Sequence, residues 1–191
     1  MKKALHASRP PRPQRGATLI EVLVSLVILM VGLLGLVGVM IQSQRSQLES
    51  YQRLQALTLV QDMASRITAN RAAASCYAMA SFLGTGNETV PDVSGCAAGN
   101  ATQKLRVTQD LTQWRDLLLG SAEKIGAANV GAVLGARGCV TVDPSGTVYQ
   151  ISVAWQGSAA TIGPAAGVPC ATGEYGVDTA RRAVSLVVQI S

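Results

Sequence analysis

The apolar run from Ala17 to Ile41 constrains this chain more than anything else in it. Thr18, Glu21 and Ser25 are its only polar side chains. It is long enough to cross a bilayer, for which roughly 20 apolar residues suffice. A short basic, proline-rich stretch, MKKALHASRPPRPQRG, precedes it. A secretory signal is cut behind a short apolar core at a small-residue site. No Ala-x-Ala-like site directly follows this run. The hydrophobic segment is therefore expected to be kept, with any cut falling before it.

The charge balance divides at the same place. The chain has 16 Lys and Arg against 11 Asp and Glu, a net charge of +5. Lys2, Lys3, Arg9, Arg12 and Arg15 all precede Gly16, and the remaining side chains balance to zero. The high pI thus belongs to the leader and is no sign of nucleic-acid binding, which draws on clustered Lys and Arg. Arg181-Arg182 is the only basic pair beyond the leader, and reads as a solvated strand edge. Positive residues beside the first hydrophobic segment stay cytoplasmic, so the chain from about Gln42 onward is expected on the periplasmic side.

Cysteine usage fits that side. Cys76, Cys96, Cys139 and Cys170 form no CxxC pair, and their spacing is not that of a zinc site. In an oxidising compartment two disulfides are the default. Four cysteines allow three connectivities, and sequence does not choose strictly. Cys76–Cys96 with Cys139–Cys170 is favoured, because each then closes a loop within one region.

The helix that starts in the apolar run is expected to continue to about Asn70, since residues 41–71 contain neither proline nor glycine. Leu48, Tyr51, Leu54, Leu57, Val60, Met63, Ala64 and Ile67 recur at three- and four-residue spacing and form one apolar stripe. Residues 72–100 are rich in Ala, Ser and Gly and read as a disulfide-tied loop. A second helix is expected over 101–120, with Leu105, Leu111, Trp114, Leu117 and Leu118 on its apolar face. From Gly138 the period becomes two. Cys139–Val142 is a strand, Asp143-Pro144-Ser145-Gly146 a turn, and Val148–Gln156 the returning strand. Tyr149, Ile151, Val153 and Trp155 share a face. A last strand, Ala183–Ile190, closes an antiparallel sheet over 138–191 that the stripe can cover. The fold class is α+β: a long N-terminal helix, half of it protruding and transmembrane (17–41), packed on a C-terminal antiparallel sheet. The expected parts are a leader (1–16), the helix (17–71) and a globular domain (72–191).

Catalytic signatures are missing from the sequence. The only histidine, His6, lies in the leader, so the rest cannot run a Ser-His-Asp or Cys-His mechanism or build a His-ligated metal site. There is no P-loop, no GxGxxG after a strand and no GxSxG. Asp143 reads as a turn residue, and Glu174 and Asp178 as loop surface. No enzyme, cofactor or metal is expected. Glu21 stands out, because a carboxylate at the centre of a membrane segment costs about 2.5–3.5 kcal/mol, and less near an end. The aliphatic residues around it allow insertion but do not explain it.

Gly16 followed by Ala17-Thr18-Leu19-Ile20-Glu21 and the apolar run resembles the class III prepilin signal of type IV pilins and type II secretion pseudopilins. In outline the resemblance covers the whole chain. It is closer still to the PilV family of minor pilins, through IEVLVSLVILMVGLLGL, the Gln-rich helix after it, and GCVTVD, YQISVAWQG and RRAVSLVVQI near the C-terminus. It implies a prepilin peptidase that cuts after Gly16 and methylates the new amine of Ala17, where most members carry Phe. It implies that Glu21 attracts the N-terminal amine of a neighbouring subunit during docking. Gly32, Gly35 and Gly38 fall near where many major pilins have a helix-breaking proline. Each weakens a helix by about 1 kcal/mol relative to alanine, so they read either as a soft spot or as ordinary close packing of a membrane helix. The implied role is a minor subunit at or near the tip of a type IV pilus, serving assembly and twitching motility. Its partners would be the peptidase, other minor pilins, the major pilin and the inner-membrane assembly platform, with no nucleic acid. It would sit in the inner membrane first and in the extracellular fibre afterwards. The alternatives are a minor pseudopilin, or a fibre-borne adhesin or DNA-uptake subunit, with adhesion through residues 72–100 or 157–180.

Overall fold

The computed structural model describes residues 16–121, 124–125, 128–129 and 133–190. The expected leader therefore lies, apart from Gly16, outside the described residues. The chain divides into two units, Met1–Gln44 and Arg45–Ser191.

In the first unit the described structure is helical from Leu19, the start of α1 (Leu19–Ala69). Every side chain from Leu19 to Ile41 is exposed. The segment is the one described helix long and apolar enough to cross a membrane. At about 1.5 Å per residue it is long enough for a hydrocarbon core of about 30 Å.

The second unit holds the rest of α1 and an antiparallel sheet of β1 (Leu83–Gly84), β4 (Arg137–Val142), β5 (Val148–Gln156) and β6 (Arg181–Gln189), in that spatial order. A separate two-stranded hairpin of β2 (Lys124–Ile125) and β3 (Ala128–Asn129) precedes β4. The fold is thus the expected α+β combination of a long N-terminal helix and a C-terminal antiparallel sheet. The β4–β5 turn is built around Asp143, whose carboxylate accepts the backbone N–H groups of Ser145, Thr147 and Val148. The Ser145 hydroxyl and these amides hold the Asp143 carboxyl down at about 2. Gly146 supplies the left-handed φ of 75° that the turn needs.

The second helix, α2 (Ala101–Leu118), opens on a capping box. The Asn100 side chain accepts from Gln103 N, and the Gln103 side chain accepts from Asn100 N. One core joins Val60, Met63 and Ile67 of α1, Leu111 and Trp114 of α2, and Ile151 and Val153 of β5. Trp114 is fully buried and donates its Nε1–H to Leu59 O at 2.9 Å. A polar clamp crosses the same seam. Asp110, 5 % exposed, accepts from Tyr77 Oη at 2.6 Å and from Arg66 Nη1 at 3.0 Å, and Arg66 also binds Asp62 at 2.7 Å. Burial, together with the bond to Asp110, raises the Tyr77 pKa and keeps the phenol protonated.

Several expectations are corrected by the packing. The expected α1 stripe is buried only in its second half: Val60, Met63, Ala64 and Ile67 are covered, joined by Ala56, whereas Leu48, Tyr51 and Leu54 remain exposed. On α2 the buried face is Val107, Leu111, Trp114 and Leu118, and Leu105 points out. The loop read over 72–100 contains a 3-10 helix (Arg71–Tyr77) and the edge strand β1. Arg181-Arg182 is not a solvated edge. Arg181 is 3 % exposed, pairs with Asp178 at 2.6 Å, and donates to Val168 O and Cys170 O. Arg182 donates to Ala159 O and lies 3.8 Å from Glu49 of α1. Glu174 and Asp178 are exposed, as read, and from that surface they pair with Arg137 and Arg181 respectively.

The cysteines are joined as Cys76–Cys96 and Cys139–Cys170. Non-reducing peptide mapping of the full chain from membranes should recover these two crosslinked pairs and no free thiol. A Cys76–Cys170 crosslink would overturn the arrangement.

Candidate functional site at the start of the long helix

Gly16, Ala17 and Thr18 precede the first helical turn and are exposed. Thr18 is the turning point. Its carbonyl accepts Glu21 N–H at 3.0 Å and Val22 N–H at 3.3 Å, and its Oγ1 lies 3.4 Å from Glu21 N. That is the bond an N-cap hydroxyl makes to the third residue of a helix. The cap leaves the Gly16–Ala17 peptide exposed and outside the helix. The Thr-x-x-Glu spacing of Thr18 and Glu21 is the sequence signal for this cap, and it passes unused when the segment is read only for hydropathy.

Glu21 lies in the first turn of α1. There the exposed N–H groups of the helix favour a negative charge. Its carbonyl accepts the Ser25 hydroxyl at 2.7 Å. Its carboxylate has no hydrogen-bond or ion-pair partner among the described residues. Around it Leu19 and Ile20 are 82 % and 71 % exposed, and Val22, Leu23 and Val24 are exposed as well. An unpaired carboxylate in a collar of bare aliphatic side chains has a simple chemical capacity. It attracts a cation that arrives with its own apolar surroundings, because an ion pair gains strength as water is excluded.

Gly16, Ala17 and Glu21 thus gather at one end of α1. Gly32, Gly35 and Gly38 lie farther along it, and α1 is continuous through them. A Cβ at any of the three would meet nothing within 4 Å. The four cysteines belong to the second unit. Among the described residues no group of three His, Cys, Asp or Glu could hold a metal ion.

Residues 11–37 match the family model described as the prokaryotic N-terminal methylation motif. This prepilin-type signal supports a type IV pilin or pseudopilin, which is a structural subunit that a prepilin peptidase processes and that assembles with other pilins. Together with the apolar helix it fits anchoring in the inner membrane followed by incorporation into a pilus. No curated protein and no solved structure matches the chain.

Proposed function

We propose that this chain is a PilV-like minor subunit of a type IV pilus, held in the inner membrane before assembly and incorporated at or near the fibre tip. The carrying observation is the methylation-motif match over residues 11–37, continuous with a helix whose apolar side chains are bare from Leu19 to Ile41. So much exposed aliphatic surface is stable only in lipid or inside a bundle of similar helices. Cleavage after Gly16 leaves Ala17 as the new N-terminus, four residues before Glu21. The amine of one subunit then meets the carboxylate of its neighbour, and the pair sets the register of docking. The basic leader keeps this end cytoplasmic and places the second unit in the periplasm. Gly32, Gly35 and Gly38 give the helix a segment that loosens as the subunit leaves the bilayer. A minor pseudopilin would share the N-terminal chemistry. The two disulfide-tied segments in the second unit favour the pilus.

Intact-mass analysis of the chain from membranes and from sheared fibres should show loss of residues 1–16 and one added methyl group. Gly16→Leu should abolish the shift, because the side chain would occupy the space the peptidase leaves for glycine. Retention of Met1 in a strain with active peptidase would refute the assignment. Cleaved protein that is missing from sheared pili but needed for secretion would move it to the pseudopilins.

A further inference from the structure

The outward face of the sheet carries a cavity of about 350 Å³. Its floor is two cross-strand rungs, Cys139 opposite Ser152 and Thr141 opposite Gln150. These side chains alternate with Val140, Ile151 and Val153, which face the core. One wall is the segment 79–82, fixed by the bond from Met79 N to Val140 O at 2.9 Å. The other is the segment 169–174. It is tied down by the Cys139–Cys170 disulfide, by Arg181 on the carbonyls of Val168 and Cys170, and by Gln150 Nε2 on Gly167 O at 2.8 Å. The cavity is therefore shaped before any ligand arrives, and its size falls in the range of small-ligand sites.

Ser152 is the informative residue. It is 3 % exposed and lines the cavity, and its hydroxyl has no partner among the described residues. The hydroxyl oxygen opens to the cavity rather than being sealed in: among the described residues the one fully buried side-chain polar atom without a partner is Trp155 Nε1. The other polar groups select the class of ligand. Gln150 Nε2 is engaged with Gly167, which leaves its Oε1 as an acceptor, and the Thr172 hydroxyl donates to Pro169 O, which leaves its lone pairs. Glu174 adds a carboxylate at the rim, matched by Arg137 at 3.6 Å. No cation is among the lining side chains, so an anion is unsupported. The only charge is already paired, so a cation gains little. A purely apolar ligand would leave Ser152 buried and unpaired, at a cost. What remains is a neutral molecule rich in hydroxyl donors, with one apolar face to lay on Phe82, Met79 and Pro169. We propose that this cavity binds a neutral saccharide unit. The cavity lies wholly within the second unit, so the proposal does not depend on the pilus reading.

The test uses the full chain in phosphocholine-headgroup micelles, which contain no sugar, with the methyl glycosides of glucose, galactose, mannose and N-acetylglucosamine as probes. Saturation-transfer NMR should show transfer to at least one of them, and none to the anionic probe methyl glucuronide. Ser152→Ala and Thr141→Val should each weaken that probe by roughly three- to tenfold, while both disulfides form as in the parent chain. Absence of transfer from all four neutral probes would overturn the proposal. So would transfer that both variants leave unchanged, or glucuronide binding as strongly as its neutral counterpart.

Discussion

Glu21→Ala should leave membrane insertion and the fold of the second unit intact while depleting the chain from the fibre. Removing a carboxylate from an apolar helix makes insertion easier, by up to about 3 kcal/mol. The carboxylate has no partner among the described residues, so the subunit's own stability should hardly change. What disappears is the partner for a neighbour's amine. Leaving such a charge buried and unpaired costs about 3–5 kcal/mol in comparable buried pairs, a factor of some hundreds or more in an equilibrium constant. Mutant and parent chains should be compared in membranes and in sheared pili at matched expression. Normal membrane levels with a depleted fibre fraction support the docking role. Equal incorporation would reduce Glu21 to a tolerated charge at the membrane edge.

Gly138→Val should be among the most destabilising single substitutions in the second unit, at about 2–4 kcal/mol. Gly138 is buried in β4, opposite Leu83 and Val153. A Cβ there would lie 2.6 Å from Trp114 Cζ3 and 2.9 Å from Leu118 Cδ1, with Trp114 Cη2 nearer still. The ring has no easy escape, since it is fully buried and its Nε1–H is committed to Leu59 O. Overpacking of this kind costs typically 1–3 kcal/mol, and displacing the indole would add the loss of a hydrogen bond, about 1 kcal/mol. Thermal unfolding of the full chain in micelles, read by near-ultraviolet circular dichroism, should show a clearly lowered midpoint. Gly167→Ala is the control, because a Cβ at Gly167 would meet nothing within 4 Å. It should stay within about 0.5 kcal/mol of the parent. Equal midpoints for the two variants would show that Trp114 does not rest on the β4 backbone as described.

The strands were legible because their chemistry is local. The alternation from Val148 to Gln156, with the Asp143-Pro144-Ser145-Gly146 turn before it, writes out β5 and its hairpin residue by residue. The helix interiors were legible for the same reason. The polar roles were not. Arg181-Arg182 has the look of a surface pair, yet Arg181 is closed in by Val168, Cys170 and Asp178. A long cationic side chain shows its environment only when distant carbonyls are brought to it. The hairpin of β2 and β3 and the edge strand β1 are two residues each, too short for any period to register. Leu48, Tyr51 and Leu54 continue the spacing of the buried stripe without its burial, because periodicity tells which residues share a face and not how far along that face a partner extends.

The N-terminal region is readable from its sequence alone. A basic leader, Gly16 and a bare apolar helix with one glutamate state their requirements through hydrophobicity and charge alone, which need no tertiary partner to be read. The tertiary structure decided the rest. It selected one cysteine pairing among three, placed Ser152 without a partner at the floor of a cavity, and made Gly138 the platform for Trp114. These are consequences of which side chains meet across the sheet and helices. Such meetings depend on contacts between residues tens of positions apart, and local propensity carries no information about them.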